Sequence, residues 1–148
     1  MGREALITIN CERYSKRIID IVDLLFQIGW CSRNKKGAVE YLPVGDKDEY
    51  NWQEQQISDD EVNLIINKKQ DENEMVGLAL YYQNSIEGLI LLAKNTKEIM
   101  LDLDINRRKM GEDRDAITDI GWYFDNLIQK IIEQGCSIDS IQFEDYID

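Results

Sequence analysis

Hydrophobic positions along this chain switch between two periods, and each switch marks an element. Residues 4–10 read as a short strand. Over residues 12–28, Tyr14, Ile18, Ile21, Leu25 and Ile28 recur at intervals of three and four, and Ile19, Val22 and Phe26 widen the stripe. That is the period of a helix with one buried face. Gly29 is placed to stop it. A strand is expected over residues 38–42, ended by Pro43, the single proline. Residues 45–56 are polar, with Tyr50 and Trp52 set among them. Ser58 followed by Glu61 has the spacing of a capping box. The helix it starts carries Val62, Ile65 and Ile66 on one side and ends near Lys69.

The centre of the chain reads as a β-meander. Residues 75–82 and 86–93, joined by Gln83-Asn84-Ser85, read as a hairpin, and residues 98–105 as a third strand. In that strand Ile99, Leu101, Leu103 and Ile105 point one way, and Met100, Asp102 and Asp104 the other. The sheet is therefore expected to bury one face and turn an acidic one to solvent. After a charged segment at 106–115, a long helix is expected over 113–134, its seam along Ile117, Ile120, Phe124, Leu127 and Ile131 and its stop at Gly135. Trp122, Tyr123 and Phe124 cannot share one helix face, so Phe124 takes the seam and its neighbours flank it. A short strand over 137–143 precedes an acidic end. The order β-α-β-α-β-β-β-α-β gives a single α+β domain over residues 1–148. Its sheet is expected to be mixed or mostly antiparallel, with a central three-strand meander and about three helices packed on it.

Charge narrows the function classes. The chain carries 29 acidic residues against 17 basic ones, a net charge of -12, and has no histidine. Its field repels phosphate backbones, which argues against nucleic-acid binding and favours a positively charged partner. Loss of histidine removes the commonest general base and a common metal ligand. No apolar run reaches the length of a membrane span, and the first ten residues lack the apolar core and cleavage site of a signal peptide, so a cytoplasmic protein without a membrane is expected. Cys11, Cys31 and Cys136 are odd in number and form no CxxC pair, which reads as reduced, largely buried thiols rather than a zinc site or a catalytic nucleophile. There is no GxGxxG, Walker A, GxSxG or HExxH motif. No catalytic residue, metal or cofactor is assigned, and a non-enzymatic protein is expected.

Two constellations remain. Asp102 and Asp104, two apart on a strand, put both carboxylates on one face; with Glu98 or Glu87 beside them they suit either Mg²⁺ or a basic partner. The segment Asp46-Lys47-Asp48-Glu49-Tyr50-Asn51-Trp52 mixes carboxylates, which pair with a partner's Arg and Lys, and aromatics, which anchor interfaces. Trp52 either joins such an interface or folds inward over the core edge. Arg107, Arg108, Lys109 and Arg114 are interleaved with Glu112, Asp113 and Asp115, a self-compensated loop.

The step Tyr41-Leu42-Pro43-Val44-Gly45-Asp46 into the acidic Tyr50-Asn51-Trp52 loop, on a small acidic α+β chain, resembles bacterial immunity proteins of contact-dependent growth inhibition and related polymorphic toxin systems. The resemblance is one of style across the whole chain. It implies specific binding to a cognate toxin C-terminal domain, often a nuclease, by a surface that offers the charge nucleic acid would offer. The expected partner-binding residues are Asp46, Asp48, Glu49, Tyr50 and Trp52, then Asp102 and Asp104. A metal-dependent hydrolase using Asp102 and Asp104, or a non-catalytic adaptor subunit, are the other readings.

Overall fold

A computed structural model describes residues 2–148. In chain order the elements are β1 (Arg3–Asn10), α1 (Ile18–Gln27), β2 (Trp30–Cys31), β3 (Val39–Tyr41), β4 (Gln53–Gln55), α2 (Asp59–Asp71), β5 (Val76–Tyr82), β6 (Gly88–Ala93), β7 (Ile99–Asp102), α3 (Ile120–Tyr123), a π turn (Phe124–Ile128), α4 (Gln129–Glu133) and β8 (Ser140–Ile147). The α3, π and α4 segments form one continuous helical run. The strands make one open sheet in the order β4-β3-β5-β6-β7-β1-β8, with β2 also paired to β5. Every pairing is antiparallel. This is an α+β fold, and its β5-β6-β7 meander lies at the centre of the sheet, as expected.

Alternation decides which face is dry. Ala5, Ile7 and Ile9 of β1, Leu89, Leu91 and Ala93 of β6, and Ile99 and Leu101 of β7 are all buried on one side. Ile18, Ile21, Val22, Leu24 and Leu25 of α1, Val62 and Ile66 of α2, and Tyr123, Leu127 and Ile131 of the last helical run join them in one core cluster. The helices therefore all pack on this face. Ser58 caps α2 as its spacing predicts, accepting the Glu61 amide at 3.1 Å.

Several boundaries differ from the sequence reading. The first helix begins at Ile18. The Cys11 carbonyl accepts the amides of both Tyr14 and Ser15, closing a turn where helical spacing continued, and Tyr14 is 36% exposed. The last helix begins at Ile120, with Asp119 accepting the Trp122 amide, so Ile117 lies outside it and is exposed. The π turn then changes the seam. Its wider winding brings Tyr123, four before Leu127, into the core and swings Phe124 out to 37% exposure. The final strand is β8, which pairs with β1 over all eight residues, so Glu144 to Ile147 belong to the sheet. Short strands β2 and β4 were not expected. Lastly, β7 ends at Asp102, and Ile105 leaves the inner row to pack over Gly88 on the opposite face, its carbonyl accepting the Gly88 amide at 2.9 Å.

Candidate interaction surface

The face of the sheet that turns away from the helices is apolar in its middle. Register places Ala79, Ile90, Asp102, Leu6 and Glu144 in one row across β5, β6, β7, β1 and β8. The next row holds Gly77, Leu92, Met100, Thr8 and Gln142. Leu6, Ile90, Leu92 and Met100 are half-buried and stand outside the core cluster. Met100 and Asp102 of β7 point outward as the alternation predicts, but the neighbouring strands set Leu6 and Ile90 beside Asp102. Carboxylates sit as a rim and an island on an apolar surface.

The loop between β3 and β4 crosses one end of this face. Its backbone takes positive φ at Gly45, Lys47, Asp48 and Tyr50, a conformation that needs outside support at the three non-glycine positions. Asp46 supplies it: its two carboxylate oxygens accept the Tyr50 and Asn51 amides, each at 2.9 Å. The Asp46 side chain is thus spent inside the loop, and the residue is 6% exposed. Asp48 pairs with Lys94 at 3.3 Å, Glu49 accepts the Asn51 side-chain amide at 3.1 Å, and both are exposed. Tyr50 is 47% exposed. Asp46 is therefore a loop-shaping residue, and Asp48, Glu49 and Tyr50 are the ones presented to solvent.

Trp52 does both things the sequence allowed. It is 37% exposed, and its ring lies over Gly77 of β5, where an added Cβ would come within 3.0 Å of it. Glycine here lets the indole seat on the sheet. A groove of about 300 Å³ opens beside it, lined by Trp52, Ala79, Tyr81, Ile90 and Ile105 with Glu40 and Glu54 along one side. It continues through Glu40, Tyr81 and Ile105 into a second groove of about 570 Å³ that reaches Ile86 and Lys35. The Tyr81 hydroxyl donates to Glu40; burial and that carboxylate together push the phenol up. Asn34 ties Glu40 to Glu54 at 3.2 and 2.7 Å.

Asp102 and Asp104 do lie together. The Asp104 amide donates to Asp102 Oδ1 at 3.0 Å. Partial desolvation, then the Asp102 carboxylate, push the Asp104 carboxyl up to about 6, against the Ala5 amide and Arg107. Glu87, one suggested third ligand, is committed elsewhere: it pairs with Arg108 at 3.1 Å and accepts from the Ser85 hydroxyl. Among the described residues no group of three or more metal-ligating side chains forms. Cys31 is exposed, against the expectation of burial, while Cys11 and Cys136 are buried as expected.

Glu40, Tyr81, Ile86 and Ile90 belong to this surface and were missed by sequence. Glu40 carried a signal, since it alternates with Val39 and Tyr41 in the strand expected over residues 38–42; Tyr81 and Ile90 sit in continuous apolar runs that do not show which side faces out. A scan against protein-family models, a search of curated proteins and a search of solved structures each return no match for this chain. Among the described residues no helix is long and apolar enough to cross a membrane.

Proposed function

We propose that this chain is a non-catalytic, cytoplasmic immunity protein that neutralises a cognate toxin C-terminal domain carrying a basic surface. The observation that carries this reading is the helix-free sheet face. It combines a continuous apolar surface, a seated but accessible Trp52, and carboxylates at Glu40, Glu54, Asp102 and Glu144. On a chain of net charge -12, such a surface suits a partner whose cationic cleft would otherwise hold nucleic acid. Apolar and aromatic contact supplies affinity, and the rim charges supply steering and discrimination. The partner contacts are Asp48, Glu49, Tyr50, Trp52, Asp102 and Asp104, with Tyr81 and Ile90 in the centre.

The test begins with capture of the tagged protein from its native host, with the toxin domain identified by mass. Binding of that domain is then titrated for the unchanged protein, for Trp52→Ala, and for joint reversal of Asp48, Glu49 and Asp102 to Lys. Trp52→Ala is expected to weaken binding by at least about tenfold, on the scale of an interface hot spot. Charge reversal is expected to weaken it most at low salt. Neutralisation of toxicity should fail in parallel. A captured basic partner with no toxic activity would move the reading to an adaptor subunit. Affinity untouched by both variants would remove this face as the interface.

A further inference from the structure

Two segments far apart in the chain are stitched together around a pair of thiols. The Asn10 carbonyl accepts the Asp139 amide at 2.8 Å, Arg13 pairs with Asp139, and the Arg13 amide donates to Asp139 Oδ2 at 3.4 Å. Between these ties the Sγ atoms of Cys11 and Cys136 are hydrogen-bonded at 3.7 Å. Both backbones are fixed: the Cys11 amide donates to the Thr96 carbonyl at 2.8 Å and the Cys136 amide to the Ile131 carbonyl at 3.1 Å. Cys11 is fully buried, and Cys136 keeps 5% exposure.

We propose that Cys11 and Cys136 form a redox dithiol that closes to an intramolecular disulfide by exchange with a small-molecule disulfide such as oxidised glutathione, tying the end of β1 to the segment between α4 and β8. The sulfurs stand 3.7 Å apart, against about 2.05 Å in the bonded state. Cys136 is the attacking thiol because it alone of the pair reaches the surface. The Cys136 thiol releases its proton and attacks one sulfur of oxidised glutathione. That S–S bond breaks, and the first glutathione leaves as a thiolate and takes up a proton. Cys11 then releases its proton and attacks Cys136 Sγ, expelling the second glutathione, which is protonated in turn. Two protein thiols are oxidised to one disulfide, and one glutathione disulfide is reduced to two thiols.

The bond would close a loop from residue 11 to residue 136 and restrict the unfolded chain across most of its length. Exposed Cys31 sits on β2 and is removed to keep the readout to the buried pair. The experiment uses the Cys31→Ser protein, with the unsubstituted protein in parallel. Each is incubated natively, and also refolded from denaturant, in glutathione buffers of rising oxidised fraction. Free thiols are trapped by alkylation, followed by intact mass and peptide mapping. The expected product is lighter than the reduced chain by about 2 Da, resists alkylation, and yields joined peptides containing Cys11 and Cys136. Its thermal midpoint rises by several degrees, and reduction restores the original value. Refolded protein that keeps two alkylatable thiols, or carries glutathione on Cys136 without closing, at every buffer ratio would overturn the proposal.

Discussion

The Lys69 ammonium, 1% exposed, donates to the Pro43 carbonyl at 2.6 Å and reaches Glu74 at 3.1 Å. Glu74 Oε1 also accepts the Gly45 amide at 2.7 Å, so α2 and the chain before β5 fasten the entry of the β3–β4 loop. Burial alone would raise the Glu74 carboxyl; the Gly45 amide and Lys69 outweigh it and hold it below its ordinary value. Lys69→Met leaves both acceptors without the ammonium and is expected to cost about 3–5 kcal/mol by urea unfolding, the range for breaking a buried pair. Because the folded Glu74 value is depressed, its contribution is present above about pH 4.5 and is lost as pH falls through the lower folded value. Glu74→Gln should therefore flatten the acid limb of a stability–pH profile.

Removal of the Asp46 carboxylate should leave the sheet intact and loosen the loop. Asp46→Ala leaves the Tyr50 and Asn51 amides without their acceptor at a strained stretch of backbone. A loss of about 1–3 kcal/mol is expected. The discriminating measurement is amide exchange: protection should vanish at Tyr50 and Asn51 and persist in β5 and β6. Uniformly faster exchange would mean that the loop and the sheet open together.

The Asp102–Asp104 pair should titrate with an upper apparent value of about 6, visible by carboxyl carbon NMR. Asp104 has a raised folded value, so the folded state holds the proton more tightly than the unfolded chain does. Its contribution to stability therefore grows as pH falls from neutral toward 4 and is lost as pH rises through about 6. Asp104→Asn is expected to raise the thermal midpoint at pH 7 and to leave it unchanged near pH 4. Asp102→Asn should bring the remaining Asp104 transition down toward the ordinary carboxylate range.

Gly77→Ala tests the seat of Trp52. The new methyl would come within 2.5 Å of Leu42 Cδ1 and 3.0 Å of the indole. One of the two must move, at about 1–3 kcal/mol for overpacking. With 5-fluorotryptophan incorporated, the Trp52 resonance should shift while those of Trp30 and Trp122 hold. If Trp52 anchors the partner, affinity should fall with it.

The period of two was legible in β7, where Ile99 and Leu101 alternate with Met100 and Asp102; β6 is a continuous apolar run over residues 89–93, which shows a strand without showing which of its sides is dry. Helix ends were less legible because they depend on capping bonds: Cys11 closing a turn at Tyr14 and Ser15, and Asp119 opening α3. The π turn has no residue signature, so the exchange of Tyr123 for Phe124 could not be read. The acidic, aromatic character of residues 46–52 was visible, but the task of each carboxylate was not. Asp46 turns inward to accept the Tyr50 and Asn51 amides of a loop whose positive φ values no residue pattern announces. Likewise, the outer face is a product of register across five strands distant in sequence, which no local pattern encodes.

β1 lies between β7 and β8, so among the described residues the earliest strand is completed by the latest, with the Asp148 amide donating to the Gly2 carbonyl at 2.9 Å. On the ribosome, residues 3–10 emerge with neither neighbour yet synthesised. Their pairing edges and buried face must wait for the meander and then for residues 140–147. Such long-range closure slows folding and exposes the opening strand to wrong partners in the interval. A nascent chain paused before residue 140 would hold β1 with one edge bare.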